Sequence, residues 1–183
     1  MRHKQQKERK MPHYLNAKTA AMLGMFTAAA MICSYIEAMI PINFGIPGIK
    51  LGLANLVVLI VLYTMGTKDA LIVSVLRIIL TGFLFGNLFG ILYSLAGGLL
   101  SFLVMWLLKC TGKLRIISIS VAGGICHNIG QILVAAVVVE NYKIMYYIPV
   151  LLIAGLLTGF LIGILAQETV LRLQGYIKNN TGE

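Results

Sequence analysis

Six apolar runs of 15 to 24 residues follow one another between Thr19 and Ala166, separated only by short polar breaks. Nothing else in the sequence limits the fold so strongly. An apolar helix of about 20 residues crosses a hydrocarbon core about 30 Å thick, and a helix satisfies every backbone donor and acceptor within itself. Of the 183 residues 59% are hydrophobic and 11% charged, at a mean hydropathy of +0.90. A soluble domain carries about 25% charged residues. The expected fold is therefore all-α: a polytopic membrane protein of six transmembrane helices, with no room for a separate soluble catalytic domain. The organisation expected is a basic tail over 1–16, a transmembrane substrate-binding domain over 17–172 and a polar tail over 173–183.

The first run, Thr19 to Ile40, follows a basic segment and so has the layout of a signal peptide. It is longer than the 7–15-residue core of such signals and more spans follow, so it is taken as helix 1. Helix 2 is short, Leu51 to Met65, and ends at Gly66-Thr-Lys-Asp69, read as a tight aqueous connection. Helix 3 covers Ala70 to Phe85, and the Gly- and Phe-rich Thr81–Gly90 reads as a turn at the membrane edge. Helices 4, 5 and 6 are expected over Leu88–Leu108, Ile116–Val139 and Met145–Ala166. Between helices 1 and 2, Pro41 to Lys50 holds two prolines and two glycines, which mark a structured or re-entrant loop.

Lys and Arg accumulate in the short loops that remain cytoplasmic. With the N-terminus inside, Arg2, Lys4, Lys7, Arg9, Lys10, Lys18, Lys68, Lys109, Lys113, Arg115, Arg172 and Lys178 lie inside, and Lys50 and Lys143 lie outside. Both termini are thus expected in the cytoplasm. The net charge of +9 suits an anionic inner membrane surface better than nucleic acid. Cys33, Cys110 and Cys126 have no paired spacing and read as free thiols.

Charge within a span is costly, on the order of 2.5–3.5 kcal/mol at the centre on insertion scales, so it usually faces a cavity or a partner. Arg77 falls halfway along helix 3 and His127 halfway along helix 5, with Gln131 one turn on and Asn128 beside them. Glu37, Asn43, Lys50, Asn55 and Asn87 fall toward the outer ends of their spans. One reading is a pocket open to the outside, formed by the 41–50 loop with helices 1, 2, 3 and 5, suited to an anionic or polar solute. The other is a structural network in which Glu37 pairs with Arg77 or Lys50. Small residues form two stripes: Ala20, Gly24 and Ala28 on helix 1, and Gly155, Gly159 and Gly163 on helix 6. Such stripes let helices approach closely in lipid. The second suits internal packing, while the first suits a docking subunit.

Chemistry for catalysis is missing. Asp69 is the only aspartate, so no paired-aspartate site for magnesium and a diphosphate exists. HExxH, GxSxG, CxxC and P-loop patterns are absent. The expectation is a protein that is not an enzyme and carries no cofactor and no metal.

The segment Ser34-Tyr-Ile-Glu-Ala-Met-Ile-Pro-Ile-Asn-Phe-Gly-Ile-Pro-Gly-Ile-Lys-Leu-Gly-Leu-Ala-Asn55 resembles the Gx transporter family, also labelled heptaprenyl diphosphate synthase component I. Leu92–Ser101 and Ser120–Gln131 resemble further segments of it, so the likeness covers about residues 17 to 170. The family is similar to the substrate-binding S components of energy-coupling factor (ECF) transporters of bacteria. That resemblance implies a six-helix bundle in the plasma membrane, which captures a micronutrient from outside and works with a coupling subunit and two ATPases. It also implies that small residues near the cytoplasmic part of helix 1 contact the coupling subunit, here Ala17, Ala20 and Ala21 or the offset Ala20, Gly24 and Ala28. The synthase label leaves a second class open, a non-catalytic membrane partner in polyprenyl diphosphate or quinone precursor metabolism. A lone carrier or channel is the third, and the lack of an evident inverted repeat counts against it.

Overall fold

The computed structural model describes residues 17–39, 52–86, 88–138, 140 and 142–181, and among them every regular element is helical. These are α1 (Ala17–Met39), α2 (Leu53–Thr64), α3 (Thr67–Phe85), α4 (Leu88–Cys110), α5 (Ile116–Val138) and α6 (Ile148–Thr181), with a 3₁₀ segment, Tyr142–Tyr147, leading into α6. Four helices, α1, α4, α5 and α6, are long and apolar enough to cross a bilayer. The protein is a six-helix membrane bundle.

Around the bundle the neighbours run α1, α2, α6, α5, α4, α3 and back to α1, with α2 also against α3. Helix α2 is the axis of the core: Val57, Val58, Leu59, Ile60, Val61 and Leu62 are buried in unbroken sequence. A helix that is apolar all round belongs inside a bundle, and the core is completed by Ala30, Val73, Phe102, Met105, Ile119, Ala166 and Val170 from its neighbours. With 12 residues α2 is about 18 Å long, well short of the hydrocarbon thickness. Its C-terminal end is tied to the basic end of the bundle, where the Lys109 ammonium donates to the Leu62 carbonyl and lies 4.9 Å from the Tyr63 ring centroid. Its N-terminal end therefore stops short of the opposite face of the hydrocarbon, with Ala54 buried and Gly52, Leu53 and Asn55 part-buried.

Large apolar side chains cover the outside. Phe83, Leu84, Phe89, Leu107, Ile153 and Leu161 are all exposed, a surface that water would not tolerate and that lipid covers without cost. On the inside, glycines set the helix spacing. A Cβ on Gly159 would lie 2.8 Å from the Ser120 carbonyl oxygen, and one on Gly155 would lie 2.8 Å from that of Gly124. The helix 6 stripe is thus an internal α5–α6 contact.

Three boundaries differ from those read in the sequence. Helix α3 begins at Thr67, so Lys68 and Asp69 belong to its first turn rather than to a connection. The turn is compressed into Gly66, at φ 118°, and Asp69 carries negative charge to the positive end of the helix dipole. Thr81–Phe85 remains helical and α4 already begins at Leu88, and the bare Gly82 backbone lets Ile91 pack against it. Helix α6 runs on to Thr181, so 34 residues make a rod about 51 Å long that absorbs most of the expected polar tail. Polar Gln, Arg and Lys residues are good helix formers and need no membrane to stay helical.

Candidate functional site

Where α1, α2 and α3 meet, the polar side chains form a chain of contacts. Helix α2 starts after Gly52, whose φ of 74° is a left-handed conformation open to glycine. The Gly52 N–H donates to the Glu37 carboxylate of α1 across 2.6 Å. One turn into α2, Asn55 Oδ1 accepts a 2.8 Å hydrogen bond from Arg77 Nη2 of α3. Arg77 is buried, at 9% exposure, and its Nε has no hydrogen-bond partner among the described residues. Glu37 lies within electrostatic range of the guanidinium. A buried arginine is tolerated when its charge is balanced and its donors are occupied; here the nearby carboxylate supplies the charge and the amide takes one donor, while Nε stays unfilled among the described residues.

On the other side of α2 a cavity of about 20 Å³ lies between α2, α4, α5 and α6, with Asn55, Ser101, Ser120, His127, Asn128 and Thr158 on its walls. That volume holds about one water and is far below the ~300 Å³ of the smallest typical ligand pocket. Ser101 is 2% exposed and its Oγ has no hydrogen-bond partner among the described residues. Asn55 is shared, lining the cavity while holding Arg77, so the two polar regions are continuous.

The three polar residues of α5 are all buried but face different neighbours. Asn128 donates to the Leu151 carbonyl of α6 across 2.7 Å. His127 and Gln131 lie against Gly97 of α4, where a Cβ would approach the His127 carbonyl oxygen to 2.6 Å and Gln131 Cγ to 2.7 Å. The sequence places these three side by side; the packing assigns Asn128 to α6 and the other two to α4, because a 100° step turns adjacent residues to different neighbours.

Of the other candidates, Asn43, Lys50 and Asn87 lie outside the described residues, as does the 41–50 loop. Ala17, Ala20, Ala21, Gly24 and Ala28 are all exposed on α1, and nothing lies within 4 Å of a Cβ built on Gly24. The cavity wall comes from α2, α4, α5 and α6, whereas the outward pocket expected from the sequence draws on the 41–50 loop with helices 1, 2, 3 and 5. Ser101, Ser120 and Thr158 line the cavity and are not among the residues that the sequence singles out. A hydroxyl in an apolar helix is a weak signal, since it can bond to the preceding turn as Thr158 Oγ1 does to the Ala154 carbonyl. Among the described residues no group of His, Cys, Asp and Glu could hold a metal ion.

No curated protein and no solved structure matches the chain. A family model does, over residues 26–169, from the middle of α1 to about two thirds of the way along α6 and so across both polar regions. The chain belongs to the family described as heptaprenyl diphosphate synthase component I.

Proposed function

We propose that this protein is the membrane-embedded substrate-binding component of an ECF-type uptake transporter, capturing a small polar or anionic micronutrient from outside. The observation that carries the reading is the Arg77–Asn55 pair, a charge held inside an apolar bundle and continuous with a polar-walled cavity. Intramembrane charge of this kind marks solute paths more often than it serves packing. The residues that make up the site are Glu37, Asn55, Arg77, His127, Asn128 and Gln131, together with Asn43, Lys50 and Asn87.

The exposed α1 residues Ala17, Ala20, Ala21, Gly24 and Ala28 support a docking role, since the bundle itself makes no use of that face. A coupling subunit with two ATPases would supply the energy, as the chain carries no nucleotide-binding motif. In this arrangement both termini are cytoplasmic in a bacterial plasma membrane.

A second reading is favoured by the family description, which names one component of a synthase. In it the same buried arginine binds the diphosphate of a polyprenyl lipid, and the chain is a non-catalytic partner of an enzyme.

The deciding experiment purifies the full chain in mild detergent, alone and co-expressed with a coupling module, and identifies bound molecules and subunits by mass spectrometry. A water-soluble micronutrient with a coupling subunit supports uptake. A prenyl diphosphate with a synthase overturns it in favour of the second reading. Arg77→Ala and His127→Ala should each weaken retention of the solute without preventing insertion. Unchanged retention in both, with normal folding, removes the assigned site.

A further inference from the structure

The Glu37 carboxylate occupies the place where an anion would be best held. It accepts the Gly52 N–H at 2.6 Å, at the start of α2, and it is within electrostatic range of Arg77. The start of a helix carries partial positive charge from its unsatisfied N–H groups. That feature alone would hold little interest, but Arg77 is more than nine-tenths buried, and its Nε is without a hydrogen-bond partner among the described residues while Nη2 is held by Asn55. A guanidinium presents a planar fork suited to a two-oxygen acceptor, and an amide oxygen occupies only one prong. The cluster thus holds two features that suit an oxyanion: the Gly52 N–H, now taken by a carboxylate of the chain itself, and the unfilled donor of Arg77.

We infer that Glu37 is an internal stand-in for the solute's anionic group: a carboxylate or phosphate of the solute takes its position on Gly52 N–H and Arg77, and Glu37 is displaced. This inference rests on the reading of the polar cluster as a solute site and adds how the site is kept closed without solute. The exchange conserves the local charge balance, since one anion replaces another beside the same arginine. A neutral solute gains nothing from it. The tethered carboxylate competes at every encounter, so the apparent affinity is the intrinsic affinity multiplied by the fraction of time the site is free of it. The exchange also cuts the link from α2 to α1, the helix whose small-residue face is exposed.

The full chain in mild detergent is titrated with inorganic phosphate, and separately with acetate, at constant ionic strength, and thermal stability is followed. In Glu37→Gln the half-saturating phosphate concentration should fall at least about tenfold relative to the unaltered protein, a change of about 1.4 kcal/mol. Adding Arg77→Gln should abolish the response. Should Glu37→Gln fail to fold, Glu37→Asp decides, because a shorter carboxylate competes less well and should move the midpoint in the same direction. Equal midpoints in the unaltered and altered proteins, or a response that survives loss of Arg77, overturns the exchange. A short-chain phosphatidic acid acting below the phosphate midpoint supports the exchange with a lipid headgroup as its source. The outcome is separable from uptake: a Glu37- and Arg77-dependent response without uptake preserves the exchange and removes the transport reading, and uptake without the response does the reverse.

Discussion

The Lys109 ammonium of α4 donates to the Leu62 carbonyl of α2 and sits over the Tyr63 ring, so the end of the most buried helix is closed by a cation from its neighbour. The last carbonyls of a helix have no partner within it, and a positive charge there also complements the dipole. Lys109→Met should keep the apolar stem and lose the donor, costing about 1.5–3 kcal/mol as for other hydrogen bonds to charged groups. The expected sign is a melting temperature several degrees lower in detergent, with Lys109→Arg recovering most of the loss.

Replacing Gly159 by Val forces a side chain into a space where a Cβ already lies 2.8 Å from the Ser120 carbonyl oxygen and 2.8 Å from the Val121 Cα. Both contacts are backbone, so helices α5 and α6 must separate. The expected cost is about 1–3 kcal/mol or more, read as loss of the monodisperse peak in detergent. Gly24→Val is the control: nothing lies within 4 Å of its Cβ. Its stability should be unchanged while capture of a co-expressed coupling subunit falls.

Asn128→Ala leaves the Leu151 carbonyl without its 2.7 Å donor. Interhelical hydrogen bonds in membranes are worth about 0.6 kcal/mol on average and at most about 1.7. The variant should therefore fold, with a loss near 1 kcal/mol in a denaturant titration. A much larger loss would show that Asn128 holds more than the α6 carbonyl.

Cys110 is exposed at the end of α4 beside the basic connection, while Cys33 and Cys126 are half-buried. With that connection cytoplasmic, a membrane-impermeant maleimide should label Cys110 in inside-out vesicles and leave it unlabelled in intact cells. Labelling from outside would invert the topology and place the Arg77 cluster on a path from the cytoplasm.

Much of this was legible in the residues. Run lengths and the scarcity of charge dictate a membrane bundle, because lipid admits only chains that satisfy their own backbone in apolar helices. Position alone marked Arg77, midway along its run, and Asn55 and Glu37 near the ends of theirs, since a charge or amide within an apolar run has few ways to be satisfied. The Gly155, Gly159 and Gly163 spacing gave the α6 face that meets α5.

The partners of those residues were decided by tertiary structure. Hydropathy does not distinguish a helix facing lipid from one facing protein, so nothing in the sequence made the short α2 the axis of the core or set Lys109 on its end. That Asn55 would hold Arg77 while Gly52 held Glu37 depends on how far α2 is sunk among α1, α3 and α6, a depth set by packing and not by any local pattern. The sequence by itself determined the solvent and the elements. Packing decided which polar groups meet, because within a bundle each buried donor takes the acceptor that its neighbouring helix brings within reach.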